Sequence, residues 1–159
     1  MLAHGTWLVP TLSAPRAVLA AVDAGAAMPA AVVEKARAVQ AVHDASVTRA
    51  VAAGVRVAMG TDSGVGPHGD NLGELALMAA CGMTPEQAWA ATTSSAARLL
   101  GVGEELGTLE VGKRADVVVL TGDPADLSGP AGRVREVWRD GALLARDGRA
   151  LEREVLAGD

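Results

Sequence analysis

Apolar positions along the chain change period twice, and each change marks an element. In "TWLVPTL" the apolar residues crowd into a short run, which predicts a strand over Thr6–Leu12 that ends or frays at Pro10. Between Ala30 and Ala53 the period lengthens. Val32, Ala36, Val39, Val47 and Ala50, with His43 in register, recur at helical steps; Pro29 suits the first turn and Gly54 the C-terminal cap. "VRVAM", Val55–Met59, returns to a compact strand. A glycine-rich loop follows, then a helix from about Asn71 to Cys81 closed by Gly82. "TPEQ" reads as a capping box with Thr84 at the N-cap, Pro85 at N1 and Gln87 at N3, opening a helix that runs to about Leu100 and stops at Gly101. The order strand, helix, strand, helix, helix is that of βα units with parallel strands.

Beyond Gly101 the pattern is different. "DVVVL" (Asp116–Leu120) and "VREVW" (Val134–Trp138) are short strands, and Asp140-Gly141 and Asp147-Gly148 are hairpin-turn dipeptides about one strand length apart. This half reads as a small antiparallel meander. The change of pattern over Gly101–Leu106 divides the chain into a βα unit, residues 1–103, and a β unit, residues 104–159.

Composition narrows the class. Half of the 159 residues are apolar, drawn mainly from Ala, Val and Leu, and three tryptophans are the only aromatics. A net charge of −5 leaves no basic footprint, so neither nucleic acid nor membrane is an expected partner. The most apolar stretch, "AVLAAVDAGAAMPAAVV", is interrupted by Asp23, Gly25 and Pro29 and falls short of the ~20 residues a spanning helix needs. The N-terminus has no basic region ahead of an apolar core, so it does not read as a signal peptide. Cys81 stands alone, which excludes an intramolecular disulfide and fits a reducing cytoplasm.

The chemistry concentrates in "AMGTDSGVGPHG", Ala58–Gly69. In parallel βα units the working residues lie where strands end. Asp62 follows its strand there, and His68 lies further along the same loop. Such an aspartate can ligate a metal, act as a general base, do both, or simply cap a turn. Three motif readings fail. The loop lacks the Gly-Lys-Ser/Thr ending of a P-loop; Asp62 puts a nucleophile elbow out of register; the glycine spacing is wrong for a dinucleotide fingerprint. An anion at the helix start near Asn71 would be repelled by Asp62 and Asp70. His43 falls on the apolar stripe and is expected to be packed and hydrogen-bonded, His4 to be solvated, and Cys81 to be an inert packing residue.

"VRVAMGTDSGVGPHGDNLGELALMAACGMTPEQAWAATTSSAARLLG", followed by "ELGTLEVGKRADVVVLTGDP", resembles the C-terminal part of the metal-dependent amidohydrolase superfamily. Within it, the imidazolonepropionase-like and Xaa-Pro-dipeptidase-like branch is the nearest. "WLVPTL" is similar to the seventh strand of that barrel and "VRVAMGTD" to the eighth. The resemblance implies an α/β fold: the last part of a TIM-type (β/α)8 metallohydrolase barrel plus the C-terminal part of a small β-sandwich. It implies that Asp62 is both a metal ligand and the catalytic proton carrier. It also implies that His68 and Asn71 border the substrate, that the cofactor is a divalent metal, zinc first, and that the substrate is a small amide or dipeptide. The family's remaining ligands sit on strands with no counterpart here, and the chain has no His-x-His pair. "AHGT" lies too close to "WLVPTL" to be the family's sixth-strand histidine element, so His4 is expected to have no catalytic role. A zinc site takes three or four protein ligands, more than Asp62 and His68 supply, and a closed barrel takes ~250 residues. The expectation is a C-terminal portion of a longer C–N bond hydrolase, inactive on its own. The alternative is a non-catalytic interaction or complementation domain, self-associating or joined by a missing N-terminal portion.

Overall fold

The computed structural model describes residues 1–151. Strands β1 (Trp7–Leu8) and β2 (Arg56–Val57) pair in parallel, with Trp7 opposite Arg56 and Leu8 opposite Val57. The pairing continues one step, as the Ala58 amide donates to the Leu8 carbonyl at 3.0 Å. A parallel pair needs a crossover. It is supplied by α1 (Ser13–Asp23) and α2 (Ala30–Ala52). Past β2 come α3 (Gly73–Ala80), α4 (Pro85–Thr92) and α5 (Ser94–Leu99). Among the described residues no helix is long and apolar enough to cross a membrane.

Helix α1 differs from the sequence expectation, which left this stretch unassigned. Leu12, at its N-cap, has no side-chain acceptor to announce a helix start. The helix over Thr84–Leu100 also differs. Its capping box is present, but the helix breaks at Thr93, with φ −120° and ψ −92°. Thr92 and Thr93 both turn their hydroxyls back onto carbonyls one turn earlier, Ala88 and Trp89, a bond that competes with the helix interior. Gly107 packs into the break. It has φ +93°, and a Cβ there would lie 2.6 Å from the Cβ of Ala97.

The core lies between the strand pair and the helices. Leu12, Val47, Val57, Leu75, Met78 and Ala88 are buried together. The α2 stripe is buried only in part: Ala36 and Val47 are covered, whereas Val32 and Val39 are exposed. His43 is half-buried as expected, but its Nδ1 is buried without a hydrogen-bond partner, so the expected bond is not made there. At the far end of the strand pair the Arg56 guanidinium lies 4.7 Å from the centre of the Trp7 ring.

Strands β3 (Val117–Leu120), β4 (Val134–Arg139), β5 (Ala142–Arg146) and β6 (Arg149–Ala150) form the expected antiparallel meander, in sequence order. Both Asp-Gly pairs turn it with positive φ: 50° and 75° at Asp140-Gly141 and the same at Asp147-Gly148. That is the hairpin geometry matching strand twist. Leu127 enters the main core and the Trp89 indole donates to the Pro124 carbonyl at 2.8 Å, so this sheet is tied to α4. The last part of the 104–159 unit, residues 152–159, lies outside the described residues.

Candidate active site

Both strands of the parallel pair leave the sheet through a residue in the left-handed region: Thr11 (φ 47°) after β1 and Asp62 (φ 54°) after β2. For an L-residue this costs about 1–2 kcal/mol, and a β-branched threonine there is uncommon. Such geometry persists only where surrounding contacts determine it. Gly60 lets the two exits run close, since a Cβ on it would overlap Val9.

Those contacts begin with Glu74, which is fully buried on α3. Its two carboxylate oxygens accept the Leu12 amide at 2.6 Å and the Ser13 amide at 2.8 Å. A negative group thus sits at the positive end of α1 and satisfies amides that a helix start leaves free. Arg16 holds the same turn from the other side. It donates to the Leu12 carbonyl at 2.8 Å and bridges to Asp44 on α2 at 2.6 Å. From this fixed turn the Ser13 hydroxyl donates to the Thr61 carbonyl at 3.2 Å, directly before Asp62. The Asn71 amide nitrogen donates to the Thr61 hydroxyl at 3.2 Å and to the Ser63 hydroxyl at 3.1 Å, and these hydroxyls lie 2.8 Å apart.

Asp62 itself is exposed. Its carbonyl accepts the Val65 amide at 3.1 Å, closing a tight turn. Beside it a cavity of about 370 Å³ opens between α1, α3 and the loop, with Ser13, Arg16, Thr61, Ser63, Asp70 and Asn71 among its lining residues. Asn71 therefore reaches this space, whereas Asp62 and His68 are exposed and do not line it. The structure brings Asn71 to both neighbours of Asp62, and among the described residues it gives His68 no hydrogen bond to either. Glu74 and Ser13 escaped the sequence reading. The one available signal was a glutamate inside the apolar run "GELALMAA".

Among the described residues no three His, Cys, Asp or Glu side chains gather into a group that could hold a metal ion. Asp62 is one donor where zinc takes three or four. The donors among the described residues do not by themselves make up a metal site. Cys81 is buried, and that burial pushes its thiol pKa up, which favours the protonated thiol.

The amidohydrolase family model matches residues 1–144, and the chain belongs to the amidohydrolase family. It is 35% identical over 112 residues to the imidazolonepropionase of Symbiobacterium thermophilum, covering 66% of this chain and 26% of that protein. It is 40% identical over 89 residues to a 5-methylthioadenosine/S-adenosylhomocysteine deaminase of Desulforudis audaxviator, covering 47% of this chain and 20% of that protein. In three dimensions it is similar to a Xaa-Pro dipeptidase crystallised with methionine in its active site. There the TM-score is 0.82 and the identity 34%, over 90% of this chain and 35% of the dipeptidase. The resemblance to imidazolonepropionase-like and dipeptidase-like proteins is thus borne out. The chain spans about a quarter of the length of the first of these relatives, 26%, and about a third of the dipeptidase, 35%.

Proposed function

We propose that this chain forms the Asp62 end of a cytoplasmic hydrolase that cleaves C–N bonds in small amides or dipeptides. The observation that carries the reading is Asp62 itself: an exposed carboxylate at the exit of a parallel strand, in a left-handed turn held by bonds to both of its neighbours. In this reading β1 and β2 are the seventh and eighth strands of a (β/α)8 barrel. Residues 104–159 belong to a small β-sandwich beside it. Asp62 is one ligand of a divalent metal, zinc first, whose other ligands come from outside this sequence.

The proton chemistry belongs to Asp62. As water attacks the carbonyl carbon, its carboxylate takes a proton from that water. When the C–N bond breaks, it returns the proton to the departing nitrogen, so the carboxylate ends as it began. His68 and the Asn71 carboxamide oxygen border the substrate. The Asn71 nitrogen is already committed to Thr61 and Ser63.

The test compares the chain alone with the chain co-expressed with the N-terminal portion of a barrel relative. Both are assayed on dipeptides, N-acyl amino acids and imidazolonepropionate. Turnover is expected only in the combined form, falling on the order of 10²–10⁴-fold in Asp62→Asn. Full activity in that variant would remove Asp62 from the mechanism. A discrete oligomer of the chain by light scattering, with no turnover in either form, would favour the second reading, an interaction or complementation domain. That reading draws on the incomplete donor set.

A further inference from the structure

We propose that Ser13, Glu74 and the amide nitrogen of Asn71 are positioning groups for Asp62. They hold Thr61 and Ser63, the residues on either side of it, so that Asp62 keeps its left-handed form and its carboxylate stands free at the strand exit. Among the described residues the Asp62 side chain makes no hydrogen bond that could hold its own turn, and its φ of 54° lies in a region that carries a conformational penalty for L-residues, aspartate included though less than most. The restraint arrives from two directions. On one side the Ser13 hydroxyl fixes the Thr61 carbonyl, which belongs to the peptide group leading into Asp62. On the other, one Asn71 nitrogen spans the hydroxyls of Thr61 and Ser63, the residues flanking Asp62.

Ser13 can do this because its own backbone is anchored. Its amide and that of Leu12 are both held by the buried Glu74 carboxylate. Glu74 and Asn71 flank the start of α3, while Ser13 opens α1. The first turns of two helices are thereby coupled to a single residue. The assignment gains its functional meaning from the catalytic reading of Asp62, but its test does not depend on that reading.

Glu74→Ala threatens folding, so Ser13→Ala carries the test, by NMR on the 159-residue chain. Two signals report on the turn. A strong intraresidue amide-to-Hα NOE at Asp62 marks its positive φ, and the exchange rate of the Val65 amide reports the bond closing the turn onto the Asp62 carbonyl. In Ser13→Ala the NOE should weaken and Val65 exchange should quicken by about tenfold, the scale of the left-handed penalty. The Ala88 amide, bonded to Thr84 in the first turn of α4, should be unchanged. Adding Asp62→Gly, which removes the penalty, should bring Val65 back to within about threefold of the parent rate. The proposal is overturned if Val65 is unaffected by Ser13→Ala. It is equally overturned if Ala88 quickens as much as Val65, or if Asp62→Gly gives no rescue. Activity in Asp62→Asn, measured separately, decides the catalytic reading whatever these signals do.

Discussion

Replacing Glu74 by glutamine exchanges one carboxylate oxygen for an NH₂ group and tests the clamp on α1. The carboxylate accepts two successive amides, at 2.6 and 2.8 Å, from a fully buried position. A glutamine offers one oxygen, so one amide loses its acceptor and meets an NH₂ group instead. A hydrogen bond to a charged group contributes about 1.5–3 kcal/mol, and the surviving bond drops to the neutral scale of about 1 kcal/mol. Neutralising a buried carboxylate returns part of this loss by relieving desolvation. The net expectation is a destabilisation of about 2–3 kcal/mol. With a urea slope of about 1–3 kcal/mol/M, the midpoint should fall by about 0.7–3 M, read from far-UV circular dichroism at pH 7. Glu86→Gln, on the exposed first turn of α4, is the control and should lower the midpoint by clearly less, since its carboxyl stands in solvent. If Glu74→Gln were no more destabilising than Glu86→Gln, the buried carboxylate would not be holding the turn.

Gly107→Ala adds about 1–2 kcal/mol of backbone strain and, from its overlap with Ala97, a further 1–3 kcal/mol or so. Gly101→Ala, where a Cβ meets open space at φ +75°, should show the strain alone; equal losses in urea titrations would mean the linker does not pack at the helix break. In the meander, the bond from the Trp138 indole, followed by the Arg146 guanidinium, holds the Glu136 carboxyl below its ordinary range. The folded sheet then binds fewer protons than the unfolded chain between the two values, so this contribution is complete above about pH 4.3. It is lost as pH falls through the lower, folded value. The Trp138 indole N–H resonance should follow that transition, and a midpoint at or above pH ~4.3 would contradict the bond.

What could be read from the sequence was whatever lies within a few residues. The Thr84 capping box, the Asp-Gly turns and the apolar runs of both parallel strands are local signals, and each has its element. The start of α1 is not local. Leu12 cannot cap a helix, and the group that does so is 62 positions away, so no pattern around "TLSAPR" could have announced it. The break at Thr93 was hidden for a related reason. Two threonines lower helix propensity only slightly, and the glycine seated against Thr93, Ser94 and Ala97 comes from beyond the end of α5. Asp62 was legible because its place after a strand is topological. Ser13 and Glu74 were not, since Ser13 reaches the Thr61 carbonyl, and Glu74 the Ser13 amide, only once α1 and α3 are in place.

That separation has a consequence for the order in which the molecule assembles. The turn after β1 leaves the ribosome long before the residue that locks it, because Glu74 follows Leu12 by 62 positions. Long-range closures of this kind form late in folding. Until α3 docks, Thr11 and Asp62 have no reason to hold left-handed geometry, and α1 starts without an acceptor. The strand exits are therefore among the last parts to become native and among the first to be released when α3 frays. A nascent chain can hold both strands and still have no site.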